Sequence, residues 1–185
     1  MNKNLSIFAR TGFLFSILAT ALVACGGKES IEVTTTSDGF RQVKVIDSTL
    51  QWKIQGATLE VKVTAPARGW VGVGFDPDSI MKGANFIIGY VEAGVGRIED
   101  HYGNKLTEHL SDVELGGTEN ATLISATESA SSTTLHFSIP LDSGDEFDKP
   151  LVGGQTYKIL LAYHDSDDFV SEHSGDARIG FDVEL

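Results

Sequence analysis

Cysteine occurs once in the 185 residues, at Cys25. A single thiol forms no intrachain disulfide, builds no thiolate metal cage and gives no pair of thioether links to a haem, so any cofactor needs other ligands. Basic residues are also scarce: 14 Lys plus Arg stand against 26 Asp plus Glu, a formal charge of −12. That balance repels a phosphate backbone and argues against nucleic acid as a partner. Methionine occurs only as Met1 and Met81. The longest apolar run, 13–24 (FLFSILATALVA), holds twelve residues, short of the roughly 20 that a membrane-spanning helix needs. Beyond it there is no Ala-, Leu- and Lys-rich helical stretch and no internal repeat. What is present is 20 glycines, many β-formers, and 41% apolar with 9% aromatic residues, enough for the core of one domain.

The apolar run follows Lys3 and Arg10 and closes on Leu22-Val23-Ala24-Cys25, with Gly26-Gly27 behind it. This order resembles the bacterial lipoprotein signal, in which the cysteine becomes the lipidated first residue. The resemblance implies removal of 1–24, a lipid on Cys25, a small and polar tether over 25–39, and a folded domain over 40–185. The protein would then sit in the bacterial cell envelope, facing the periplasm or the exterior, with the membrane as a partner through the lipid.

From Phe40 onward short segments of period 2 alternate with turn residues, the pattern of an antiparallel sandwich. In 58–64 (TLEVKVT) Leu59, Val61 and Val63 share one face. Leu135, Phe137 and Ile139 do so in 134–139, and Ile179, Phe181, Val183 and Leu185 in 179–185. The more continuous runs 85–91 (NFIIGYV) and 157–163 (YKILLAY) predict strands covered on both faces, or strands with a ligand on one. With 41–46, 50–54, 70–75 and 121–127 the total is about nine strands and no convincing helix. The expected fold is all-β, an antiparallel two-sheet β-sandwich of the immunoglobulin-like kind.

Segment 68–75 (RGWVGVGF) puts Val71, Val73 and Phe75 on one face and Trp70, Gly72 and Gly74 on the other. Two alternating glycines leave room for close approach by chain or by a flat ligand. Met81 follows in the turn-rich connection 76–86, in a polar setting unusual for core filler. Of the five histidines, His136 alternates with core residues and is expected to face solvent or an adjoining polar surface. His101 and His109 fall in a stretch read as loop and turn, which does not aim both at one metal. His164 and His173 flank the acidic run 165–168, read as a solvated loop, and either can reach a site at the end of the sandwich.

Taken in order, Trp52 (LQWKI), the GWVGVGF strand, Met81-Lys82-Gly83-Ala84-Asn85-Phe86, the strand into Gly96-Arg97-Ile98-Glu99-Asp100, the LLAYHDSDD run and His173 before the final strand resemble a DOMON domain over almost the whole exported chain. The resemblance implies a β-sandwich outside the cell membrane. Some members bind haem b and pass electrons, similar to the cytochrome domain of cellobiose dehydrogenase; others bind sugars or serve as interaction modules. In the haem-binding members a Met after the GWxGxG strand and a His before the last strand ligate the iron. Those positions hold Met81 and His173 here, with His164 as the alternative imidazole. Trp70, Gly72 and Gly74 would then face the macrocycle. The function so implied is that of an electron carrier served by a separate redox partner protein, not an enzyme. The alternative is a carbohydrate or small-ligand module using Trp70 and Tyr90 as its platform.

Overall fold

The computed structural model describes residues 31–185, which form one compact unit; residues 1–24, expected to be a signal, and Cys25 lie outside the described residues. The chain folds into two six-stranded antiparallel sheets. The first orders β1 (Thr34–Thr35), β2 (Arg41–Val45), β3 (Ser48–Gln55), β4 (Thr58–Ala65), β10 (Thr133–Pro140) and β9 (Thr122–Glu128) from edge to edge. The second orders β12 (Arg178–Glu184), β11 (Thr156–Tyr163), β5 (Val71–Phe75), β6 (Asn85–Glu92), β7 (Val95–Lys105) and β8 (Glu108–Ser111). The fold class is the all-β sandwich that the period-2 pattern predicts.

Alternation builds the core between the sheets. Leu59, Val61 and Val63 on β4 stand opposite Ile139, Phe137 and Leu135 on β10, and all six are buried. Val71, Val73 and Phe75 of β5, Ile87 of β6, Ile159 and Leu161 of β11, and Phe181 and Val183 of β12 close the layer from the other side. Each such side chain contributes about 1.5–3 kcal/mol when removed from water. Trp52 is buried in the same layer, and its indole N–H donates to the Glu184 carbonyl at 3.2 Å.

Three readings are corrected. The stretch containing His101 and His109, read as loop and turn, is the antiparallel pair β7–β8. Thr34–Thr35, within the expected tether, pair with Gln42 and Arg41 and extend the first sheet. One short helix is present, α1 (Asp112–Leu115).

The second sheet is apolar on both faces. On its outer face Trp70, Ala84, Phe86 and Ile88 form a second buried cluster, with Met81, Tyr90, Leu160, Ala162 and Phe169 packed against it. This accounts for the unbroken apolar runs of β6 and β11: one set of alternating residues serves the core and the other serves this outer layer.

Candidate functional site: an apolar cavity on the outer face of the second sheet

A cavity of about 300 Å³ opens on that outer face, floored by Gly72, Ile88, Leu160 and Gly180 and walled by Trp70, Phe86 and Ile179. Two loops bring in the polar groups. Phe75, where the 76–84 loop begins, pairs with Ile159, whereas Tyr163, where the 164–177 loop begins, pairs with Val71. The loops therefore rise from opposite ends of the strands. Met81 arrives on the first and His173 on the second, and both line the cavity.

The loop carrying Met81 is pinned by backbone. Met81 N–H donates to the Leu106 carbonyl at 3.1 Å, Gly83 N–H to Gly103 at 2.8 Å, and Ala84 N–H back to Met81 at 3.1 Å. Ile80, beside Met81, holds φ 54°, a costly conformation for a β-branched residue that persists only where its surroundings impose it. Gly103 is placed by close approach, because a Cβ there would overlap the Met81 carbonyl.

Hydrogen bonding separates the two candidate histidines. Nδ1 of His173 lies 3.0 Å from the Ser174 carbonyl, which can only accept. Nδ1 therefore carries the proton and Nε2 keeps a free lone pair, the tautomer in which imidazoles ligate metals. Nδ1 of His164 instead accepts the Ser166 N–H at 3.1 Å, which leaves the proton of the neutral ring on Nε2. His164 stacks on Trp70 with ring centroids 6.4 Å apart and is not among the lining residues.

The remaining sequence candidates fall as follows. Trp70 is a buried wall, 6% exposed, with its indole N–H donating to the Ser171 carbonyl, so it is not a flat exposed platform. Tyr90 packs on Phe169 at 4.8 Å. Gly72 faces the cavity, and a Cβ there would meet Ile88 Cγ1 at 3.3 Å and Trp70 Cζ3 at 3.5 Å. Gly74 is not in the lining; its bare surface takes the Phe86 ring, which in turn forms the wall. His136 bonds Glu60 at 2.6 Å. Asp165 and Asp168 are not merely solvated, since they accept the Arg68 N–H and the Val170 and Ser171 N–H groups and so shape the loop bearing His173.

Two polar lining residues escape sequence reasoning. Arg178 is a cation at the rim, suited to a carboxylate-bearing ligand. His109, on β8, also lines the cavity and sits 2.9 Å from His101, Nδ1 to Nδ1. His101 Nε2 in turn lies 3.0 Å from Glu99. With Glu99 accepting from His101, the shared proton lies on His109 Nδ1, and His109 Nε2 keeps a lone pair. Burial holds both rings neutral, with pKa values lowered to about 4; for His109 the neighbouring His101 and His173 act in the same direction.

Comparison with known proteins agrees with this architecture. Residues 46–164 match the DOMON domain, and the chain belongs to that family. DBH-like monooxygenase protein 1 of Mus musculus is 30% identical over 118 residues, 64% of this chain but 18% of that protein. The chain thus spans less than a fifth of that relative. Among solved structures, the cytochrome domain of Myriococcum thermophilum cellobiose dehydrogenase superposes with a TM-score of 0.60 at 9% identity, covering 86% of this chain and 90% of that one. The cytochrome b domain of pyranose dehydrogenase from Coprinopsis cinerea gives 0.54 at 15% identity, with 82% and 81% coverage. At such identities the likeness is one of fold.

Proposed function

We propose that this DOMON protein is an electron-transfer domain that binds haem b in the outer cavity, where Met81 and His173 would hold the iron, and that Cys25 anchors it by lipid to the envelope membrane. The observation that carries the reading is the convergence of the thioether and an imidazole with a free Nε2 lone pair on one apolar cavity, from loops at opposite ends of the sheet. The lining fits the group. Apart from Met81, His109, His173 and Arg178 it is hydrocarbon, indole or bare glycine, and Arg178 would neutralise a propionate. A sugar, hydroxylated around its rim, would find few hydrogen-bond partners on these walls.

Held by a thioether and an imidazole, haem would supply a one-electron iron couple at a raised potential. The protein's own part is to present the ligands and to keep water away: Trp70, Phe86 and Ile88 are buried, and the Ser174 carbonyl fixes the His173 tautomer. The electron donor or acceptor would be a separate protein.

Reconstitution with haemin tests the assignment. Wild type should give a low-spin spectrum. Met81→Ala should keep haem but shift it to high spin and lower its potential, whereas His173→Ala should lose most of it. His164→Ala should match wild type; if it alone abolishes the low-spin spectrum, that ring is the ligand. No haem uptake by wild type would leave the small-ligand module in its place. Cys25→Ser should move the protein from the membrane to the soluble fraction, and a variant that is exported yet stays on the membrane would sink the anchor.

A further inference from the structure

The turn that presents Met81 carries a residue its backbone does not favour. Ser79 and Lys82 form an isolated antiparallel bridge, with Lys82 N–H donating to the Ser79 carbonyl at 2.9 Å and Ser79 N–H to the Lys82 carbonyl at 3.3 Å. Ile80 and Met81 are therefore the two central residues of a tight turn. Ile80 holds φ 54°, whereas Met81 lies outside the positive-φ region. That is the pattern of a type II′ turn, whose first central position suits Gly because a β-branched side chain is crowded there.

The protein itself gives this side chain little burial. Ile80 is 57% exposed and takes no part in either apolar cluster, yet it lines the outer cavity next to Met81. Ile46 supplies the comparison. It occupies the corresponding position of the β2–β3 turn, between the paired Val45 and Ser48, with φ 50° and 53% exposure, but it is not in the lining. Strain and exposure are common to both isoleucines and assign nothing by themselves. The place of Ile80 at the cavity is what sets it apart.

The far side of the cavity differs in character. Arg178 pairs with Ala162 on β11, at the end of the sheet where the His173 loop rises, whereas the Met81 loop rises from the opposite end, beyond Phe75. On the Met81 side the lining is hydrocarbon and thioether, and on the other it includes a cation. Such walls tell the two edges of a flat molecule apart.

We propose that Ile80 is a specificity-determining contact of the outer cavity: its side chain closes over the apolar edge of a flat ligand whose anionic edge meets Arg178. The assignment rests on the haem reading only in taking haem as the first such ligand. Filling the cavity would withdraw from water the hydrocarbon that Ile80 now exposes, and would shield the neighbouring thioether.

The test compares Ile80→Asn, Ile80→Val and Ile46→Asn in the full chain. Asn tolerates positive φ, so without ligand both Asn variants should unfold at a urea midpoint equal to or above that of wild type. Haem should nevertheless leave Ile80→Asn about tenfold faster, the effect of removing part of an isoleucine side chain from apolar contact. Ile80→Val and Ile46→Asn should release it at nearly the wild-type rate. Iron haematoporphyrin, which carries hydroxyethyl groups in place of the vinyls on the edge opposite the propionates, should leave wild type faster than haem does, and that difference should shrink in Ile80→Asn. A residue that only shapes the turn would move both porphyrins alike, and that result overturns the assignment, as does equal haem loss from Ile80→Asn and wild type. Should wild type take up no haem, the haem reading fails and the dye ANS, flat and apolar with an anionic edge, decides for Ile80. Its affinity should fall about tenfold in Ile80→Asn and hold in Ile46→Asn; equal affinity in Ile80→Asn and wild type then overturns the contact.

Discussion

At the scale of single residues, Gly103 shows how the site depends on positions that carry no chemistry. Its missing Cβ lets β7 come up against the loop that presents Met81, with Gly103 N–H donating to the Ala84 carbonyl at 2.8 Å. Both the clashing atom and its neighbours are backbone, so there is no flexible side chain to yield. Gly103→Ala should therefore cost about 1–3 kcal/mol in denaturant unfolding, the usual penalty of overpacking. It should also displace Met81, so that the haem-reconstituted variant resembles Met81→Ala in spin state. Unchanged stability together with a normal low-spin spectrum would show that the loop accommodates the methyl group.

Among the elements, β7 and β8 decide what was legible in the sequence. The nine strands with a clean period of 2 or an unbroken apolar run are all present, because burial of one or both faces writes itself into the side chains. VGRIEDHYGNK does not: Arg97, Glu99 and Asp100 break the alternation, and β7 exists because it pairs with β6 over eight residues, Asn85–Tyr102 through Glu92–Val95. With that strand unread, the contact of His101 with His109 could not be foreseen, nor could the place of His109 in the cavity. The gathering of Asp100, Asp112 and Asp148 was illegible for a similar reason: each, read alone, is an ordinary turn or surface acid, and only the topology brings one carboxylate oxygen of each within 4.8 Å of the others. Met81 and His173, by contrast, stood out as an isolated methionine and a histidine at family positions.

The same strand pair carries a pH dependence. His101 and His109 are held neutral with pKa near 4 against an ordinary 6.5, so below 6.5 the unfolded chain takes up protons that the folded chain refuses. Their contribution to stability is complete above pH 6.5 and is lost as pH falls towards 4. The buried Asp100 and Asp112 carboxyls, raised to about 9 and about 7, act in the opposite sense, so the histidine contribution is read as a difference: between pH 6.5 and 4 His109→Phe should lose less melting temperature, or gain more, than wild type. A slope identical in the variant would remove His109 from the account.

For the whole molecule, the consequence of a two-sided second sheet is that the main core and the candidate ligand cavity lie on different faces. Leu135 on β10 is wholly buried between the sheets, opposite Val63 and against Gly89 of β6. It shares no surface with the outer cavity. Leu135→Ala should cost about 2–5 kcal/mol, transfer and cavity terms together, yet the protein that remains folded should bind haem as wild type does. Phe86 belongs to the other face, 7% exposed, seated on Gly74 and forming the cavity wall. Its removal enlarges a space already open to water, so Phe86→Ala should destabilise less than Leu135→Ala, and the faster loss of haem should be its main effect. The two readouts, urea midpoint and rate of haem transfer to an apo-globin acceptor, should thus rank the variants in opposite order. If Leu135→Ala loses haem as fast as Phe86→Ala at equal fraction folded, the two layers are mechanically one, and the separation of core from site fails.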